Sequence, residues 1–140
     1  MNFEVEVRNV DGAVTALGAA GPFTLVVDSP AESGGGGRGF SGGQLLHLAV
    51  AGCVSNDLFR EAAKRGITLT RVVVTVDGGY GGYGGQAATS TGIAYSVEVT
   101  GQASESELVA LVNHVDVVAE IPNSLRQGTP VTLDRINVTP

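Results

Sequence analysis

An α+β fold is predicted by three features of the chain. Apolar and polar residues alternate near the start, two later segments carry helical apolar spacing, and strand-like runs are grouped around those helices. The order reads β-β-β-α-β-β-α-β. A chain of 140 residues, 43% of them hydrophobic, can bury a core as one domain with neither disulfide nor metal, which excludes general disorder.

Residues 1–28 read as an antiparallel β meander. Phe3, Val5 and Val7 alternate with Asn2, Glu4, Glu6 and Arg8, so one face of a first strand is apolar. Asp11-Gly12 marks a turn, residues 13–17 a second strand, Gly21-Pro22 a break and residues 23–27 a third strand. Residues 33–43 are rich in glycine, with Arg38 and Phe40 embedded, and precede a helix. Such a run can cradle phosphate, but the Gly-Lys-Ser/Thr ending of a P-loop is missing, so it reads as a linker.

Residues 44–140 read as the helix and sheet core. A helix is predicted over residues 44–65. Residues 45–54 are apolar on nearly every side, the mark of a buried central helix. Beyond them Leu58, Phe59, Ala62 and Ala63 form a stripe, with Arg60, Glu61, Lys64 and Arg65 toward water, and Gly66 stops the helix. Residues 69–76 and 93–100 are strand-like, joined through a glycine-tyrosine tract that contains Tyr80 and Tyr83 and reads as a loop or a mobile lid. Ser104-Glu105-Ser106-Glu107 has the form of a capping box. Leu108, Leu111, Val112, Val115 and Val118 follow at helical spacing, and Pro122 is expected to end that helix. A last strand is predicted over residues 130–138, with a bulge near Asp134-Arg135.

The formal charge is −6, with only 8 Lys and Arg. Phosphate neutralisation and docking on anionic membranes are both disfavoured, so neither nucleic acid nor membrane is an expected partner. No apolar run approaches the roughly 20 residues of a membrane span, and the first residues lack the pattern of a signal peptide. With Cys53 as the only cysteine, a reducing, cytoplasmic setting is expected.

Cys53 is the first candidate for chemistry. The plain reading is a small buried hydrophobe; the functional one is a nucleophilic or peroxidatic thiol, which requires a thiolate. Asp57, one helical turn on, opposes thiolate formation by its charge, and an activating cation must come from elsewhere. His47 precedes Cys53 by six residues and points to another side of the helix. His114 lies two turns before Ile121 on the same side, where an imidazole could serve as a base near neutrality; the plain reading is a surface histidine. One Cys and two His give no zinc spacing, and neither metal nor cofactor is expected. Ser55, Ser104 and Ser124 lack a nucleophile elbow.

The run Gly42-Gly43-Gln44-Leu45-Leu46-His47-Leu48-Ala49-Val50-Ala51-Gly52-Cys53 resembles the signature of the OsmC/Ohr family, in which a Pro and a Glu lead through Leu-Leu to the peroxidatic Cys. Gly66-Ile67, Val99-Thr100-Gly101 and Ile121-Pro122-Asn123-Ser124-Leu125 match in order, and the resemblance spans nearly the whole chain. It implies an OsmC-like α+β fold, an intertwined homodimer with sites at the subunit interface, and reduction of organic hydroperoxides by a two-cysteine cycle supplied by a dithiol. The chain departs from the pattern in four places. Ile121 stands at the resolving Cys, Gly43 and Gln44 where the acid belongs, and Gly42 at the Pro. The thiolate-holding Arg has no clear match, Arg8 and Arg38 being the nearest. Without a second Cys, a sulfenic acid on Cys53 closes no internal disulfide.

The resemblance therefore implies Cys53 as the catalytic group, with His114, Arg38 or Arg8 as candidate activators and Gln44, Ile121 and Asp57 around the pocket. Two functions stay open. One is a Cys53-dependent enzyme, either a one-cysteine peroxidase or a scaffold repurposed for an apolar substrate. The other is a non-catalytic binder of small apolar or hydroperoxide-like molecules in the dimer-interface pocket.

Overall fold

A computed structural model describes residues 1–82 and 84–140. The chain divides into two compact units, Met1–Leu48 and Ala49–Pro140. The α+β class predicted from the sequence is the class observed.

In the first unit β1 (Glu6–Asn9), β2 (Ala16–Ala20) and β3 (Phe23–Val27) form an antiparallel sheet in chain order. The register runs from Glu6 opposite Ala19 and from Ala16 opposite Val27. β2 starts three residues later than the alternation predicts. The hairpin consumes those residues: Val10 N–H donates to Thr15 O and Ala13 N–H to Val10 O, while the Asn9 amide donates to the carbonyls of Val10 and Ala13. Gly12, at φ 72°, takes the left-handed conformation that the turn needs.

The glycine-rich segment after β3 is a folded loop rather than an open linker. Phe40 N–H donates to Val26 O and Asp28 N–H to Phe40 O, both at 3.0 Å, so the segment returns alongside β3. The return is close. A Cβ on Gly35 would sit 2.0 Å from Ser29 O, and one on Gly39 would sit 2.3 Å from Val26 O. Glycine here serves close backbone approach, and composition alone cannot distinguish that from flexibility.

Helix α1 (Gly42–Lys64) begins at residue 42. Ser41 and Gln44 open it as a capping box: Ser41 N–H donates to Gln44 Oε1 at 2.9 Å, and Gln44 N–H to Ser41 Oγ at 3.3 Å.

In the second unit α1 packs by one face. Val54, Leu58 and Ala62 join Leu111, Val115 and Ala119 in the core, flanked by Cys53, Val72, Val74, Tyr95 and Val97. Gly52, Asn56, Phe59 and Ala63, on the opposite face, are exposed. The run that predicted all-round burial is thus buried on one side in the single chain. Of the stripe predicted after it, only Leu58 and Ala62 are buried, and Glu61, expected to face water, is buried beside them.

β4 (Leu69–Gly81) and β5 (Thr89–Gly101) form a two-stranded antiparallel sheet with bulges at Leu69/Arg71 and Gly79/Tyr80. The start of the glycine-tyrosine tract, through Gly81, is therefore strand rather than loop; Tyr83 lies outside the described residues. Helix α2 (Glu105–Val118) starts with the predicted box, Ser104 N–H donating to Glu107 Oε2 at 2.8 Å and Glu107 N–H to Ser104 Oγ at 3.2 Å. Pro122 does not end α2. The chain turns at Ala119, and Pro122 sits in the first turn of α3 (Glu120–Arg126), where its missing N–H costs no helical bond.

The strand predicted over residues 130–138 does not form. A strand needs a neighbour for its backbone groups, and this segment has none among the described residues. Its apolar residues stand in water, Val131 at 95% exposure and Leu133, Ile136 and Val138 at 70–77%.

Candidate functional site

Cys53 lies on α1, half-buried against the core. A row of acids follows it at four-residue spacing along the same helix, Asp57 and then Glu61, both buried. Asp57 Oδ1 accepts from Arg60 Nη1 at 2.8 Å, and the charge of Asp57 is the main reason the Arg60 pKa is raised. Asp57 Oδ2 is buried with no hydrogen-bond partner among the described residues.

Glu61 is saturated. Lys64 Nζ donates to its Oε1 at 2.7 Å and Arg60 Nε at 3.4 Å, while Arg65 Nη1 and His114 Nε2 lie 3.7 Å and 3.2 Å from Oε2. The Lys64 hydrogen bond leads the causes that lower the Glu61 pKa to about 2, against the opposing effect of burial. The expectation that His114 serves Cys53 meets a different arrangement. The imidazole bonds to Glu61, eight residues past Cys53, a rise of about 12 Å along the helix, and no hydrogen bond joins His114 to Cys53 among the described residues. Ile121 lies on α3, partly exposed.

The first unit holds the other candidates. Arg8 pairs with Glu6 at 3.1 Å on an exposed surface. Gln44, expected in a pocket, caps α1, and His47 Nδ1 lies 2.6 Å from Gly43 O, which makes Nδ1 the protonated nitrogen. Arg38 donates its backbone N–H to Asp28 Oδ2. Its guanidinium has no ion pair among the described residues, whereas Arg8, Arg60, Lys64, Arg65, Arg71 and Arg126 each lie within reach of a carboxylate.

Three features escaped sequence reading. Asp28 is buried and accepts from Thr15 Oγ1 and from the N–H groups of Ser29, Gly36 and Arg38, which together hold its carboxyl at about 2, the Gly36 bond contributing most. An Asp just before a glycine-rich run was the available signal. Next, Val5, Val7, Ala20, Phe23, Leu25 and Leu45 line an apolar hollow of about 230 Å³. Last, Asp116 Oδ1 accepts from Tyr95 Oη at 2.5 Å and from Arg126 Nη2 at 2.7 Å. Burial, and then the Asp116 hydrogen bond, push Tyr95 up to about 12. These partners are 21 and 10 residues apart in the chain, so no local pattern announces them. Among the described residues no helix is long and apolar enough to cross a membrane.

The fold is shared with solved structures of low identity. The OsmC-like protein from Mycoplasma pneumoniae superposes at a TM-score of 0.76 with 19% identity, covering 92% of this chain and 89% of that one. The organic hydroperoxide resistance protein OsmC from Legionella pneumophila gives 0.70 at 21% identity, covering 90% of each chain. The organic hydroperoxide resistance protein OhrB of Bacillus subtilis gives 0.65 at 16%, covering 91% and 93%. Comparison with curated proteins finds no match. A model of the OsmC-like protein family matches residues 34–134, most of the chain, and the protein belongs to that family.

Proposed function

We propose that the protein takes part in peroxide resistance as a one-cysteine, thiol-dependent reductase of small apolar hydroperoxides, working as a homodimer in the cytoplasm. The observation that carries this reading is Cys53 itself, half-buried on α1 in a run that resembles the family's peroxidatic-cysteine signature, in a chain with no second cysteine to resolve it. The Cys53 sulfur attacks the distal peroxide oxygen. The O–O bond breaks, giving an alcohol and a sulfenic acid on Cys53. An external thiol then condenses with the sulfenic acid, releasing water, and a second thiol exchanges with the mixed disulfide to restore Cys53. The homodimer reading is supported by the apolar residues exposed near both ends, Phe3 and Val131 foremost, which a second copy of the chain would cover.

A second reading, a non-catalytic binder of small apolar molecules, is favoured by the apolar hollow of about 230 Å³. One experiment separates the two. The protein is mixed with cumene hydroperoxide and excess monothiol, peroxide loss is followed, and the sulfenic acid is trapped with dimedone. The reductase reading expects peroxide consumption and a trapped adduct, both lost in Cys53→Ser. Equal consumption by wild type and Cys53→Ser would leave the binder. Light scattering on the same sample should give twice 14.2 kDa.

A further inference from the structure

Asp57 carries a feature that its place in the fold does not account for. It is 4% exposed, Arg60 occupies only Oδ1, and Oδ2 is buried without a donor among the described residues. A buried acceptor left open is unfavourable and is rarely retained without use. The next acid in the row, Glu61, has both oxygens engaged. Side chains of a helix lean toward its N-terminal turn, and for Asp57 that turn carries Cys53. The Cys53 thiol makes no hydrogen bond to Oδ2 in the unliganded chain; catalytic hydrogen bonds of this kind tighten when substrate binds. The imidazole read from the sequence as the base is bonded to Glu61 instead.

We infer that Asp57 is the proton acceptor of Cys53, with Arg60 holding the carboxylate in place. This rests on reading Cys53 as a nucleophile. Toward an organic hydroperoxide the S–O bond forms as the O–O bond breaks, and the thiol proton moves to Asp57 Oδ2. Sulfur is oxidised to the sulfenic acid, the peroxide is reduced to an alkoxide, and the proton returns from Asp57 to the alkoxide to complete the alcohol. Toward iodoacetamide the S–C bond forms, iodide leaves, and the proton passes from Asp57 to water. The two possible effects of the carboxylate have opposite signs. As a base it speeds the reaction of the thiol; as a mere negative charge it slows it by opposing the thiolate.

The test is alkylation of Cys53 in the full-length protein by iodoacetamide at neutral pH, followed by mass spectrometry, with folding checked by circular dichroism. Asp57→Asn should react about a hundredfold more slowly. In Asp57→Ala, added formate should recover part of the rate, bound in the vacated space beside Arg60, a recovery that a merely structural role would not produce. Arg60→Gln, which keeps the carboxylate but not its tether, should be several-fold slower and serves if the Asp57 variants do not fold. An unchanged or faster rate in Asp57→Asn, no response to formate, or an unchanged rate in Arg60→Gln overturns the inference. A hydroperoxide arm keeps it distinct from the reductase reading. Asp57-dependent alkylation without a sulfenic acid on Cys53 would sustain Asp57 and end the peroxidase. Sulfenic acid formed equally fast in wild type and Asp57→Asn would do the reverse.

Discussion

Asp28 and Asp57 are equally buried, at 4% exposure each, yet they are treated oppositely by their surroundings. Asp28 collects four hydrogen bonds, three of them from backbone N–H groups of the loop it organises. Asp57 has one oxygen tied to a half-exposed arginine and the other with no partner among the described residues. Burial alone therefore does not assign a role to a carboxylate; the count of donors does. A saturated one is structural, because removing it strands several buried donors at once. An unsaturated one adds little to the fold and has an oxygen left for chemistry.

The largest effect expected from this contrast is on stability. Asp28→Ala strands the N–H groups of Ser29, Gly36 and Arg38 and the Thr15 hydroxyl. A fall in Tm of about 10 °C is expected by thermal melting. A fall no larger than that of a surface substitution would show that the loop holds without its carboxylate.

A smaller effect is expected in acid. The Asp28 and Glu61 carboxyls are both held at about 2. Each binds its proton less readily in the folded chain than in the unfolded one. The stability each contributes is full above the ordinary carboxylate range, near pH 4, and is lost as the pH falls toward 2. Urea midpoints measured across that window should fall steeply in wild type and less steeply in Asp28→Asn, with Glu61 supplying the remaining slope. Parallel curves would assign the acid limb elsewhere.

The smallest effect is expected at Asp57. Asp57→Asn loses one ion pair to an arginine that is half in water, and it also removes a charge that is only partly compensated. Tm should move by no more than about 2 °C. A drop comparable to that of Asp28→Ala would place Asp57 in the same structural class and erase the comparison.

What the sequence made legible follows from the range over which each determinant acts. The meander, the α1 and α2 helices and the Ser104–Glu107 box rest on spacings of two to four residues, and these were readable. Glu61 was misread because charge outweighed position. It falls three residues after Leu58 and one before Ala62, on the face that packs, and its burial depends on Lys64, Arg60 and His114, the last from another helix. The strand over residues 130–138 was predicted from alternation, but alternation specifies a face and not a partner, and the single chain offers that segment none among the described residues. Cys53 was legible as a candidate by its type and context. Asp57's open oxygen was not, since the lack of a donor is a property of packing.

The hydrogen bonds around Asp28 have a consequence for the order of events during synthesis. They join residues no more than 13 apart in the chain. Closing such short loops costs little entropy and takes little time compared with translation. The carboxylate and its ring of donors can therefore assemble while residues after 48 are still being added by the ribosome. The glycines that let this loop close tightly thus keep its contacts local, so that closing it does not wait on the cysteine helix.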